Sequence, residues 1–121
     1  MPAPDHRVFV FGSNLAGRHG KGAALFAKRY RGAIQGRPSG LQGQSYAIPT
    51  KNRSLQTLSP DTIYIGVLKF YIFALNNPDL QFQVTPIGCG LAGYKPEDIA
   101  WMFADPPENV DLPIEFTSLL G

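Results

Sequence analysis

Apolar residues fall along this chain in short unbroken runs and helical stripes, separated by turns rich in glycine and proline. Val8-Phe9-Val10-Phe11 is apolar throughout, the pattern of a strand covered on both faces. From Ala23 to Arg31, Ala23, Phe26, Ala27 and Tyr30 recur at helical spacing while Lys28 and Arg29 lie off the stripe. That predicts an amphipathic helix closed by Gly32. Gly32, Gly36, Gly40 and Gly43, with Pro38, mark residues 33–44 as a loop. Ser45-Tyr46-Ala47-Ile48-Pro49-Thr50 reads as a short strand, in which Pro49 cannot donate to a ladder and marks an end or an irregular point.

Ser59-Pro60-Asp61 carries a helix start: a capping hydroxyl, proline at the first position, then an acid. Thr62 to Leu75 is apolar nearly all round, with Ile63, Val67, Phe70 and Ala74 on one stripe. A helix of that kind is expected to be substantially buried. Asn76-Asn77-Pro78 ends it, and Phe82-Gln83-Val84-Thr85-Pro86-Ile87 is the next strand. A helix from Pro96 to about Ala104 stops at Asp105-Pro106-Pro107. Val110, Leu112, Ile114 and Phe116 then alternate with polar residues and Pro113, which predicts an edge strand. The order β-α-β-α-β-α-β implies an α/β fold: a mainly parallel mixed sheet between helices, three layers α/β/α, in one domain over residues 1–121.

Composition narrows the function classes. A net charge of +2 makes no case for a nucleic-acid partner. The lone Cys89 excludes an intramolecular disulfide and a cysteine zinc cluster, and with two histidines no metal site is expected. One cysteine and an N-terminus without a basic-then-apolar signal fit a cytoplasmic protein. No apolar run approaches ~20 residues, so no membrane span is expected.

Two glycine-rich turns leave the carboxyl ends of predicted strands, where open α/β sheets bind ligands. The first runs from Gly12 to Gly22. It is no P-loop, because Leu15 and Gly22 stand where that motif needs a glycine and a Ser/Thr. No dinucleotide fingerprint is present either. The second, Thr85-Pro86-Ile87-Gly88-Cys89-Gly90-Leu91-Ala92-Gly93-Tyr94-Lys95-Pro96, has three glycines in six residues and runs into a Pro-Glu-Asp helix start. Glycine lets backbone amides close on a phosphate. Asn14 either caps the first turn or holds a sugar hydroxyl, and His19 is either a ligand contact or a surface residue. Cys89 fits better as a small turn residue than as a nucleophile, having no base in sight. Lys51 is within loop reach of a phosphate, or simply solvated.

Together, Val10-Phe11-Gly12-Ser13-Asn14, Gly20-Lys21-Gly22-Ala23-Ala24 and the Gly88–Tyr94 loop resemble the macro domain, the ADP-ribose-binding fold. Short macro-like proteins of bacteria and phages share Phe-Gly-Ser-Asn-Leu-Ala-Gly and Gly-Cys-Gly-Leu-Ala-Gly-Tyr. The resemblance implies that Gly88, Cys89, Gly90, Leu91, Ala92 and Gly93 hold a diphosphate. It places Asn14, Gly20, Lys21 and Gly22 on the distal ribose, Tyr94 packed on it, and Thr50 at the end of the middle strand. Hydrolysis of an ADP-ribosyl bond would use Asn14 to position water and His19 to accept a proton, with no cofactor. The chain departs from the family in three places. The Gly-Asp-Ile strand whose acid reads adenine has no counterpart before Val8, the acid many hydrolytic members carry is Ala24, and the second-loop aromatic is Ala92. Those departures raise an alternative: a non-catalytic module that sequesters a nucleotide-derived signalling molecule.

Overall fold

The computed structural model describes residues 5–121, and it is an α/β fold built on a five-stranded mixed sheet. In chain order the elements are β1 (Val8–Asn14), α1 (Gly22–Tyr30), β2 (Gly40–Gln42), β3 (Ser45–Lys51), α2 (Pro60–Leu75) and β4 (Phe82–Val84). After them come α3 (Pro96–Ile99) with a 3-10 turn over Ala100–Phe103, β5 (Val110–Asp111) and α4 (Ile114–Leu120). The sheet runs β2-β3-β1-β4-β5, parallel throughout except for β2, which lies antiparallel to β3.

The layers follow from the side-chain pattern. On one face Val8, Val10, Tyr46, Ile48, Phe82 and Val84 pack against Ile63, Val67, Phe70 and Ala74 of α2, the Ile99–Phe103 segment and Phe116 of α4. The other face carries a thinner cluster, in which Phe9, Phe11 and Ala47 meet Ala24 and Ala27 of α1 and Ala33. The unbroken apolar run of β1 is thus explained, since odd and even positions each face a layer of helix.

Helix α2 begins as its sequence dictates, with Ser59 accepting from the Thr62 N–H at 3.3 Å and Pro60 in the first turn. Its burial departs from expectation. Only the Ile63, Val67, Phe70 and Ala74 stripe is fully buried; Tyr64, Tyr71 and Phe73 are half-buried against the core, and Ile65, Leu68, Ile72 and Leu75 face outward, Ile72 at 60% exposure.

Several segments differ from the periodicity reading: β4 ends at Val84, short of the expected Ile87, and only Pro96–Ile99 of the expected Pro96–Ala104 helix is α-helical before the 3-10 turn. Residues 40–42 form a short edge strand inside the expected loop, because Gly40 and Gly43 adopt positive φ and fold the segment back on β3. The predicted last strand ends at Asp111, and Ile114 to Leu120 is helical. Pro113 opens that helix, its carbonyl accepting from Phe116 and Thr117 at 3.0 Å. The alternation was misleading because Ile114 is 73% exposed while Phe116 reaches the core and stacks on Phe103 at 5.2 Å. Among the described residues no helix is long and apolar enough to cross a membrane.

Candidate functional site

The carboxyl ends of β1, β3 and β4 open into a cleft of about 930 Å3, floored by Gly12, Ser13, Thr50 and Ile87. Its position on the sheet edge follows from a register slip. Ser13 pairs with Pro49 but Asn14 with Lys51, leaving Thr50 as an extra residue between them. A bulge of this kind bends a strand at its end. Pro49, which has no N–H to offer, stands at that irregular point. The Thr50 hydroxyl donates to the Ser13 carbonyl at 3.2 Å, and the Ser13 hydroxyl donates to the Pro38 carbonyl. Both hydroxyls therefore hold the floor in shape.

One wall is the first glycine turn and the start of α1. Gly20, Lys21, Gly22, Ala23 and Ala24 line the cleft. Lys21 stands at the N-cap position of α1 and makes no side-chain capping bond, so the first N–H groups of the helix stay open. The facing wall is the second glycine loop, of which Thr85 to Ala92 line the cleft. The loop closes on itself, with Cys89 N–H donating to Pro86, Gly93 N–H to Gly90 and Tyr94 N–H to Gly88. Its outer side is tied down by the Thr57 hydroxyl, which donates to the Ala92 carbonyl at 2.8 Å. Among the described residues, the N–H groups of Gly88, Gly90, Leu91 and Ala92 donate to no protein acceptor. Four open amides on one short loop make a nest suited to an anion. Leu91 reaches across to the other wall; a Cβ on Gly22 would lie 3.5 Å from its Cδ1.

Charge is distributed unevenly around the cleft. Arg18, Lys21 and Lys51 line it, against a single carboxylate, Glu115. Three other cations of the N-terminal half are held elsewhere, Arg7 by Asp5 and Asp111. Arg31 lies 5.5 Å over the Phe9 ring and donates to the Arg7 carbonyl, and Arg37 donates to the Leu41 carbonyl. No group of three or more potential metal ligands occurs among the described residues.

Most of the expected site residues converge here: Asn14, Gly20, Lys21, Gly22, Thr50 and Gly88 to Ala92 all line the cleft. Three expected roles change. His19 is fully buried and is not among the lining residues. Its Nε2 lies 3.2 Å from both the Arg37 carbonyl and Gln42 Oε1. Both are acceptors, because Gln42 Oε1 also takes the Ile34 N–H at 2.8 Å, so Nε2 carries the proton. The ring meets Phe11 edge-on at 5.4 Å. His19 is an anchor for the loop, not a proton acceptor for a ligand in the cleft. Tyr94 and Gly93 also lie outside the lining; the Tyr94 ring packs against the main core and its hydroxyl donates to the Leu58 carbonyl at 2.7 Å. Asn14 stays in the cleft, but its amide clasps the turn: Nδ2 donates to the Arg18 carbonyl at 2.8 Å and Oδ1 accepts the Arg18 N–H at 3.0 Å. The capping alternative for Asn14 is therefore realised, with one amide N–H and spare acceptor capacity left for a ligand.

Cys89 lines the cleft with its Sγ 3.5 Å from the Ile87 carbonyl. Burial, with Glu115, Asp98 and Glu97 adding to it, pushes the thiol up to about 11. At neutral pH the thiolate fraction is very small, so this sulfur is a poor nucleophile. Alkylation by iodoacetamide at pH 7.5 is expected to run well below the rate of free glutathione and to rise only above pH ~10. Labelling as fast as the free thiol would contradict the buried, carboxylate-flanked position.

Leu55 and Glu115 were not singled out by their sequence context. Glu115 was hidden by the false strand alternation. Leu55 sits in a polar loop at φ 63, a conformation nothing in its neighbours announces.

No protein-family model matches the chain, and no curated protein matches it. Among solved structures it is similar to a protein of unknown function from Bacteroides thetaiotaomicron, with a TM-score of 0.59 and 17% identity, over 92% of this chain and 89% of that one. That likeness extends to the fold.

Proposed function

We propose that the cleft binds ADP-ribose or a related nucleotide-sugar diphosphate, in the manner of a macro-like domain. One observation carries the reading: the loop whose Gly88, Gly90, Leu91 and Ala92 amides donate to no protein acceptor lines the same cleft as the uncapped start of α1, together with Arg18, Lys21 and Lys51. Helix N-termini, amide nests and paired cations are the groups that hold phosphate in proteins. The cleft volume is in the range that encloses a ligand of nucleotide size. The order of the two loops along the chain resembles that of the macro domain.

Between weak hydrolysis and binding alone, the site favours binding alone. His19 is committed to Gln42 and Arg37, the Cys89 thiol stays protonated, and Ala24 stands where hydrolytic members of the resembled family carry an acid. A general base must reach the proton it abstracts; neither loop supplies one, and Glu115, the one carboxylate of the lining, stands after β5 and not on the first-loop wall. The protein then acts as a sequestering module for a nucleotide-derived molecule.

Thermal-shift titration with ADP-ribose, beside AMP, NAD and a cyclic ADP-ribose isomer, tests this. Ligand at ~100 times its Kd adds ~2.7 kcal/mol, a shift of several degrees at this chain length. Recovery of unaltered ligand after prolonged incubation supports sequestration, and accumulating product overturns it. No shift with any of the four removes the assigned ligand class.

A further inference from the structure

Helix α2 carries two apolar stripes on opposite sides. Ile63, Val67, Phe70 and Ala74 are buried in the core, whereas Ile65, Leu68, Ile72 and Leu75 are 55%, 42%, 60% and 65% exposed. The buried stripe is the ordinary amphipathic face of a helix on a sheet, and the packing of this fold makes no use of the second. The outward four follow one another at steps of three, four and three residues. That is the a-d-a-d repeat of a helix seam, with isoleucine at both a positions and leucine at both d positions. Tyr64 and Tyr71 flank the seam on one side and Lys69 and Asn76 on the other, while Asp61 lies at its N-terminal end. Trp101, 47% exposed, adjoins it, with its ring centroid 4.8 Å from that of Tyr64.

We infer that this face is where a second copy of the chain docks, α2 against α2 across a two-fold axis. Isoleucine at a with leucine at d is the composition that packs knobs into holes in two-stranded pairs. Such a seam is complementary to itself, as an isologous interface has to be. Charge raises no obstacle, because Lys69 is the single cation of α2 and sets no ladder of like charges against self-pairing. One cation is also far from the basic rim that seats an amphipathic helix on a lipid surface. The area is consistent with a dimer. At about 200 Å2 for a large residue in full, the four aliphatics and Trp101 present on the order of 500 Å2 per copy. Two such faces together bury on the order of 1,000 Å2, the lower bound of a specific interface. That size belongs to dimers that exchange with monomer.

Sedimentation equilibrium on the full chain, from about 1 μM to about 1 mM, tests this. The mass is expected to climb from the 13.2 kDa of one chain toward twice that value, with half-dimerisation at about 10–100 μM. Ile72→Glu should stay at 13.2 kDa throughout, since pairing would carry a carboxylate from each copy into an apolar seam. Ile72→Ala, which only removes contact, should weaken the dimer roughly tenfold. Leu119→Glu, on α4 at 47% exposure, is the control and should dimerise as the wild type does. Melting curves at the dilute end check the monomer; Ile72 faces solvent there, so the Tm of its variants should hold. If Ile72→Glu melts early, the affinity of Ile72→Ala decides alone. A wild type that stays monomeric at the top of the range overturns the inference, whatever else that face binds. So does a folded Ile72→Glu chain that still dimerises, an Ile72→Ala chain of undiminished affinity, or a Leu119→Glu chain that no longer pairs. The diphosphate reading stands or falls separately.

Discussion

A Gly90→Leu variant is expected to fold with an unchanged Tm and to lose ADP-ribose affinity by ~100-fold or more. Gly90 lines the cleft, and a Cβ built on it would meet no heavy atom within 4 Å. Its φ is not in the left-handed region, so a side chain imposes no backbone strain there, and the loss of glycine freedom in the unfolded chain favours the variant slightly. The new side chain instead enters the cleft beside the open amides, where the proposed diphosphate would sit. Parallel melting curves and binding isotherms read the two effects separately. A variant that folds and keeps its affinity would mean that the ligand lies elsewhere. One that unfolds would mean that Gly90 is needed only as a turn.

The opposite outcome is expected one loop away. Gly17→Ala places a Cβ 2.5 Å from the carbonyl carbon of Gly36 and 2.8 Å from the Arg37 nitrogen, at φ +69. The left-handed backbone costs about 1–2 kcal/mol for alanine, and overlap with immobile backbone adds about 1–3 kcal/mol. A Tm drop of roughly 10 °C is the expected reading. The close approach is what lets the Gly36 N–H donate to the Gly17 carbonyl at 2.8 Å, joining the first cleft loop to the segment that carries the His19 and Gln42 contacts. Gly20→Ala is the control, since nothing lies within 4 Å of a Cβ there. Equal stability of the two variants would count against the Gly17–Gly36 contact.

The contrast between these glycines marks how far sequence alone can be read. The elements that stand on side-chain periodicity, β1, α1, β3, α2 and β4, were legible because each has a face that must be covered. The caps were legible too, as Ser59 and Pro60 act through their own backbone neighbours. Strand β2 was not, since its pairing depends on positive φ at Gly40 and Gly43, a property of the fold and not of any apolar pattern. Helix α4 was misread because two periods fit the same four apolar residues, and only the packing of Phe116 on Phe103 decides between them. Within the cleft, glycines and strand ends were legible as a class. The partners of His19 and Tyr94 were not: each makes a hydrogen bond whose acceptor lies on distant backbone that the sequence does not locate. Glu115 joins the site only through the sheet order.

That sheet order also sets a timetable for the nascent chain. β1 is the central strand, yet it is made first. Val8 is aligned with Phe82 and Phe9 with Ser45, so one flank of β1 waits for β3 and the other for β4. At about 5–20 residues per second of synthesis, that interval lasts seconds. Throughout it the β4 flank of Val8–Val10 has no native partner, and loop closure over most of the chain must precede the contacts that reward it. The floor of the cleft, Gly12 to Asn14 against Thr50 and Ile87, is assembled only when β4 docks. The cleft is therefore complete only once β4 is in place, and a chain truncated upstream of Phe82 would leave one flank of β1 exposed to association with its neighbours.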